Sequence, residues 1–250
     1  MANNHCLHCS TPLPQSARYC HHCGAQAVNN RLGFSQLLQD TAKIFDLEAG
    51  FIKTMADLFV MPGIVTRFYI EGGRKRYLNP LKYLAVCFMA YQLALWLMAS
   101  DYFFIALMKG FIEGRHTAAG LQDPAPEKLE QLSNYSTFLF LLLLPIAALI
   151  SKVLFQPDEL NFVEHLFINA YLLAQVLVIG LAASLILIWF EHKAIYWLSI
   201  ASSIFYILYC QYRTFSYSLA GALSRSMVFL AACFVLMLLL YSELAIMATR

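Results

Sequence analysis

Residues 162–190 read FVEHLFINAYLLAQVLVIGLAASLILIWF. A bilayer's hydrocarbon core needs about 20 apolar residues of helix to cross it, and this run exceeds that length with a single carboxylate, Glu164, near its start. Four more apolar runs, over 81–100, 135–154, 195–212 and 227–247, are long enough for the same task. Composition agrees with them. Hydrophobic residues make up 60% of the chain and charged residues 13%, whereas charged residues alone are about 25% of an ordinary soluble protein. The chain therefore reads as an α-helical polytopic membrane protein with about five transmembrane helices, and residues 81–250 form the bundle.

The distribution of positive charge orients these spans, because cytoplasmic flanks retain Lys and Arg. With the N-terminus inside, twelve of the seventeen Lys and Arg fall on the inner side, among them Arg67, Arg74, Lys75, Arg76, Lys82, Lys152, Arg213 and Arg225. The one long loop, 101–134, falls outside. The N-terminus carries no apolar stretch of the kind a signal peptide uses, which places it in the cytoplasm. A net charge of +2 provides no global basic field for nucleic acid.

Working outward from the spans, residues 31–80 form a juxtamembrane region. Phe34, Leu37, Leu38, Ile44 and Phe45 recur at helical spacing, as do Leu47, Phe51, Ile52, Met55, Leu58 and Phe59. Gly50 and the pair Pro62-Gly63 punctuate them. Two or three short amphipathic helices are predicted, lying on the inner surface or packed beneath the bundle. The region closes on Glu71-Gly72-Gly73-Arg74-Lys75-Arg76. Glycine amides and the bases Arg74, Lys75 and Arg76 could hold a phosphate or anionic lipid headgroup. The simpler and favoured reading is a positive-inside anchor, with Pro80 starting a helix.

The first 30 residues form a polar head with the pattern Cys6-x-x-Cys9, ten residues, Cys20-x-x-Cys23-Gly24. Each Cys-x-x-Cys turn supplies two thiolates, and a hairpin between the turns completes the tetrahedron that zinc prefers. Gly24 permits the tight turn after the second pair. A reducing cytoplasm disfavours disulfides at these positions, and neither pair continues to the histidine of a haem-attachment motif. His5, His8, His21 and His22 crowd the site, and one of them in place of a cysteine is the alternative ligand set. Spacing favours Cys6, Cys9, Cys20 and Cys23 holding Zn²⁺. Four thiolates leave no open coordination position, so the ion is predicted to be structural. Cys87, Cys210 and Cys233 stand singly in apolar runs and read as packing residues.

The other candidate site lies in the opening stretch itself. Glu164, His165, Asn169, Tyr171 and Gln175 make a polar seam, with Glu164, Tyr171 and Gln175 on one helical face and His165 and Asn169 on the next. Ionisable groups at membrane depth tend to face a bundle interior or a wet cavity, which makes Glu164 and His165 candidates for a proton relay or substrate contact. Equally, both stand at the start of the span, where Glu164 suits a helix N-terminus.

Cys6, Cys9, Cys20, Cys23 and Gly24, then Thr54, Leu58, Pro62 and Gly63, then Tyr69-Ile70-x-Gly72-x-Arg74-x-x-Tyr77-x-x-Pro80, and finally Glu164-His165-Leu166 resemble one known family. It comprises bacterial membrane proteins of unknown function with an N-terminal zinc ribbon. The matching positions are dense only over the first third of the chain. The resemblance implies the bacterial inner membrane and supports zinc, and it transfers no activity.

These readings make the chain a non-enzymatic integral membrane protein whose cytoplasmic zinc ribbon docks a partner protein or serves as a scaffold. The alternative is a transporter or lipid-handling protein with a polar intramembrane site around Glu164, His165, Asn169 and Gln175. A membrane-embedded enzyme would need a nucleophile or an open metal site, and no motif supplies either. The partners expected are membrane lipid and a cytoplasmic protein.

Overall fold

The computed structural model describes residues 5–6, 9–14, 17, 19–24, 50–74, 76–98, 114, 142–155, 160–187 and 193–249. The helices predicted before residue 50, the loop 101–134 except Gly114, and His8, Lys75, Asp158 and Glu159 lie outside the described residues. Seven helices are described: α1 (Phe51–Val60), α2 (Pro62–Ile70), α3 (Pro80–Met98), α4 (Leu142–Leu154), α5 (Phe162–Leu187), α6 (Lys193–Thr214) and α7 (Leu219–Thr249). Two stretches, all of α5 and Leu219–Leu240 of α7, are long and apolar enough to cross a membrane.

The last helix begins earlier than its hydropathy predicts. Ser218 caps it, its Oγ accepting from the Gly221 amide at 3.3 Å and its carbonyl from Ala222 at 2.8 Å. A hydroxyl at the N-cap satisfies an amide that the helix cannot, so Ser218 starts a helix at residues that polarity alone assigns to a loop.

α5 is the central element. α3 packs along it, and α1, α2 and α6 also touch it. In the membrane-length stretches, 44% of the α5 window is buried against 17% of that in α7, so α5 serves as a core helix and α7 as a peripheral one. The core around α5 is aromatic at one end. Tyr69 meets Phe167 and Tyr171 edge-on at 5.8 and 5.9 Å, and Tyr83 lies 6.1 Å from Tyr171 and 5.2 Å from Phe51. Edge-to-face pairs of this kind bring the positive rim of one ring to the negative face of the next.

The register of α3 on α5 fixes the depth of this end. Tyr171 Oη donates to the Leu78 carbonyl at 2.5 Å, and Tyr83 Oη donates to Gln175 Oε1. The start of α3 therefore sits beside Tyr171 and Gln175, and the first turns of α5 project past it. Asn79 and Pro80 begin α3 as cap and first residue, Asn79 Oδ1 accepting from Leu81 N at 2.9 Å and Lys82 N at 3.3 Å. Proline is suited to this position because the amide it lacks would have no helical partner.

α1 and α2 are too short to cross a bilayer: their 10 and 9 residues rise about 15 Å each at most. They are joined through Met61, and Pro62 opens α2. Gly63 is buried against the end of α6, where an added Cβ would stand 1.9 Å from the Arg213 carbonyl oxygen. One turn later Arg67 Nε donates to Thr214 O, and its terminal nitrogen to Ser216 Oγ, both at 2.9 Å.

The glycine pair after α2 ends that helix. Gly73 N donates to Phe68 O at 2.9 Å and Gly72 N to Tyr69 O at 3.2 Å, the two bonds of a Schellman cap. Gly72 has φ 114°, a conformation a side chain resists. Gly72→Ala is expected to destabilise the protein by about 1–2 kcal/mol, read as a lowered midpoint of thermal unfolding in detergent. An unchanged midpoint would show that the cap contributes nothing.

Candidate functional site

The head is built from two similar knuckles. The Ser10 amide donates to Cys6 O at 2.8 Å, and the Gly24 amide donates to Cys20 O at 2.9 Å. Both residues follow the second cysteine of their pair and both have positive φ, 59° at Ser10 and 65° at Gly24. This left-handed residue closes each turn and points the two thiols of a Cys-x-x-Cys the same way. An antiparallel bridge between His5 and Pro12 supports the first knuckle, with Cys6 N donating to Thr11 O at 2.8 Å.

The sulfurs of Cys6, Cys9, Cys20 and Cys23 all lie within 4.8 Å of one another. Two cross-knuckle pairs, Cys6 to Cys23 and Cys9 to Cys20, each stand at 3.6 Å. Disulfide sulfurs stand about 2 Å apart, whereas sulfurs bound tetrahedrally at about 2.3 Å from one ion stand about 3.8 Å apart. The cluster has the dimensions of a four-thiolate metal centre, and none of the seven cysteines forms a disulfide. Cys6 and Cys20 are buried, while Cys9 and Cys23 are half-buried. The Thr11 hydroxyl lies 3.1 Å from Cys9 Sγ. That bond, with the Thr11 backbone, lowers the Cys9 thiol pKa to about 5, which favours the thiolate form that a metal binds. Gly24 was legible as a turn residue. Ser10 and Thr11 were not, since serine at positive φ and a hydroxyl two residues beyond a cysteine leave no sequence signature.

The polar residues of α5 are all buried: Glu164 and His165 are 1% exposed, Asn169 3% and Gln175 0%. Their bonds run in separate directions. Glu164 Oε2 accepts from the Asn161 amide at 2.7 Å, while Asn161 Oδ1 accepts from the Glu164 amide at 2.9 Å. This is a reciprocal capping box at the start of α5. His165 Nδ1 lies 3.0 Å from Ser151 Oγ of α4, and its ring stacks on Phe215 at 5.6 Å. Phe215 in turn stacks on Phe155 at 4.2 Å. Asn169 Nδ2 donates back to the His165 carbonyl at 2.8 Å. Gln175 joins three elements, receiving the Tyr83 hydroxyl through Oε1 and donating through Nε2 to Met55 O of α1 at 3.1 Å. Tyr171 donates to Leu78 O, whose residue's amide donates to Thr54 Oγ1 at 3.0 Å. Sequence reasoning missed Ser151, Thr54 and Tyr83 as partners, because isolated Ser, Thr and Tyr in apolar runs are unremarkable.

At the basic flank, Arg76 is exposed and its guanidinium stands 5.7 Å from the ring centroids of both Phe68 and Tyr77. Arg74 is half-buried. The adjacent glycines serve the α2 cap, with Gly73 against the Phe68 ring.

A family model described as a protein of unknown function (DUF3667) matches residues 48–91. The matched stretch covers α1, α2, their cap and the first half of α3. It includes Thr54, Leu58, Pro62, Gly63, Gly72, Arg74, Tyr77 and Pro80, and it excludes the four-cysteine head. No curated protein and no solved structure matches the chain.

Proposed function

We propose that the chain is a non-enzymatic, multi-pass protein of a bacterial inner membrane whose cytoplasmic head holds one structural zinc ion and docks a partner protein. The observation that carries this reading is the closed cluster of four sulfurs within 4.8 Å. A four-sulfur tetrahedral set suits zinc or iron. Zinc with four thiolates has no vacant position for substrate, so the ion's work is to fold and present the surface of the head. Cys6, Cys9, Cys20 and Cys23 would hold it. Five spans are the count proposed, α3 and α4 to α7 supplying them in chain order. The inner side then collects Arg67, Arg74, Arg76, Lys82, Lys152, Arg213 and Arg225.

The test is elemental analysis of the purified full chain. One zinc per chain and no visible absorption are expected; iron with a coloured spectrum would replace zinc in the reading. The docking role is tested by crosslinking from Tyr19, which is 63% exposed on the head. A crosslinked cytoplasmic protein that disappears with Cys20→Ser supports the role, and identical capture by the variant removes it.

The transport reading around Glu164 and His165 is the weaker one, because the capping box gives Glu164 a structural task. Glutamine fills the same place in a capping box. Glu164→Gln is therefore expected to leave stability nearly unchanged, and Glu164→Ala to cost about 1 kcal/mol, both read by thermal unfolding. A growth defect in Glu164→Gln with normal protein level and stability would restore a charge-dependent role in the membrane.

A further inference from the structure

α1 crosses the bundle. Along its length Phe51 meets Tyr83 of α3, Met55 O receives Gln175 of α5, and Leu58 O and Val60 O receive Tyr206 and Tyr209 of α6. A helix running parallel to one span would keep one partner, whereas α1 meets three in succession. Its inner face is buried, Thr54 and Leu58 both at 0% exposure. Its outer face is bare and, apart from Lys53, apolar, with Ile52 at 75%, Phe59 at 40% and Val60 at 65%, and Ile64 of α2 at 55%.

The backbone at the α1–α2 turn has little need of water. The last four carbonyls of a helix lack helical partners. In α1 three of the four are met: Asp57 O receives the Met61 amide at 2.8 Å, Leu58 O the Tyr206 hydroxyl at 3.2 Å and Val60 O the Tyr209 hydroxyl at 2.7 Å. Pro62 brings no amide to the turn, and Met61 O receives the Ile64 and Val65 amides at 3.1 and 3.2 Å. Irregular backbone is tolerated at membrane depth only where protein groups satisfy it in this way. A turn bathed in water would need no tyrosine hydroxyls sent to its carbonyls.

We infer that α1 and the α1–α2 turn are embedded in the acyl chains of the cytoplasmic leaflet, with Ile52, Phe59, Val60 and Ile64 facing lipid. The inference rests on reading α5 and α7 as membrane spans. α1 lies directly on α3, α5 and α6, so its bare face points away from all three. Exposed Lys53 stands on the segment leading into the turn. Its long stem can carry the charge to anionic headgroups while the neighbouring apolar residues stay in hydrocarbon. A protein partner would fit the apolar face alone, but it would give no reason for tyrosine hydroxyls on two of the turn's carbonyls.

The experiment places the photocrosslinker p-benzoylphenylalanine, one site at a time, at Val60, Ile64, Glu71 and Val228 of the full chain. The protein is reconstituted in vesicles of phosphatidylethanolamine and phosphatidylglycerol, irradiated, and weighed by intact-protein mass spectrometry. All four positions are exposed, so the replacements leave the core untouched, and unchanged unfolding midpoints verify this. Lipid adducts are expected at Val60 and Ile64 as at Val228, with loss of the adduct at Glu71. A lipid adduct at Val228 together with none at Val60 and Ile64, or with a dimer mass there, overturns the inference and leaves the spans standing. Equal lipid capture at Glu71 also overturns it. No lipid at Val228 removes the spanning reading and this inference with it.

Discussion

Replacing Cys20 with serine is expected to take the metal content of the purified chain from about one ion to near zero, because a serine hydroxyl is a poor substitute for a thiolate at a four-sulfur site. Few residues in the head could compensate. Its buried apolar core consists of Cys6, Leu13 and Cys20, with Ala17, Cys9 and Cys23 packed around them, so all four ligands serve both as core and as metal donors. A segment of this size folds on binding energy, on the order of 10 kcal/mol for a structural zinc site. Without it, the turns at Ser10 and Gly24 keep only one backbone hydrogen bond each to the first cysteine of their pair, with the His5–Pro12 bridge beside the first. The head of the variant is expected to become a substrate for limited proteolysis, with cleavage near Tyr19. The bundle core around α5 contains no residue of the head, so its helical circular dichroism should persist. Full metal retention in Cys20→Ser would sink the four-cysteine assignment and bring His21 or His22 forward as the ligand.

How much of this was legible in the sequence depends on the range of the interactions. The knuckles are local, and Cys-x-x-Cys followed by Gly24 announces one of them. The capping box is local too: Asn161 and Glu164 stand three apart before an apolar run. The meaning of Gln175 was not legible. In a hydrophobic run it looks like a binding residue, yet its partners Tyr83 and Met55 lie 92 and 120 positions away, and no periodicity encodes which distant helix a side chain will meet. The same holds for Tyr206 and Tyr209, whose hydroxyls reach carbonyls of α1 almost 150 positions off. Gly72-Gly73 beside three bases shows the opposite difficulty. Phosphate loops and helix caps both use glycine for its backbone freedom, and only the bonds to Phe68 O and Tyr69 O assign this pair to a cap.

Gly63→Ala is expected to destabilise the bundle more than the loss of the Gly72 cap does. A methyl group there would stand 1.9 Å from Arg213 O and 2.5 Å from its carbonyl carbon, so backbone must move and no rotamer change can relieve the clash. Overpacking a dense site costs about 1–3 kcal/mol through shifted backbone and strained side chains. Here the shift has a further consequence. Arg67, one turn along the same face of α2, holds Thr214 O and Ser216 Oγ at 2.9 Å, and Thr214 O is one of the carbonyls that α6 leaves unpaired at its end. Moving α2 outward stretches these bonds together with those from Tyr206 and Tyr209 to α1, of which only the one from Tyr206 to Leu58 O is buried, so the total is expected at about 3 kcal/mol, the upper end of the overpacking range, with that buried bond adding about 1 kcal/mol of it. Gly50→Ala serves as the comparator, since a Cβ there meets nothing within 4 Å and the backbone is extended at φ 175°. A large fall in unfolding midpoint for Gly63→Ala beside an unchanged Gly50→Ala would establish that the short helix pair is docked on α6 through backbone contact. Equal, small effects in the two variants would mean that α2 can leave α6 without cost, and the hairpin would then be an appendage of the bundle instead of part of its core.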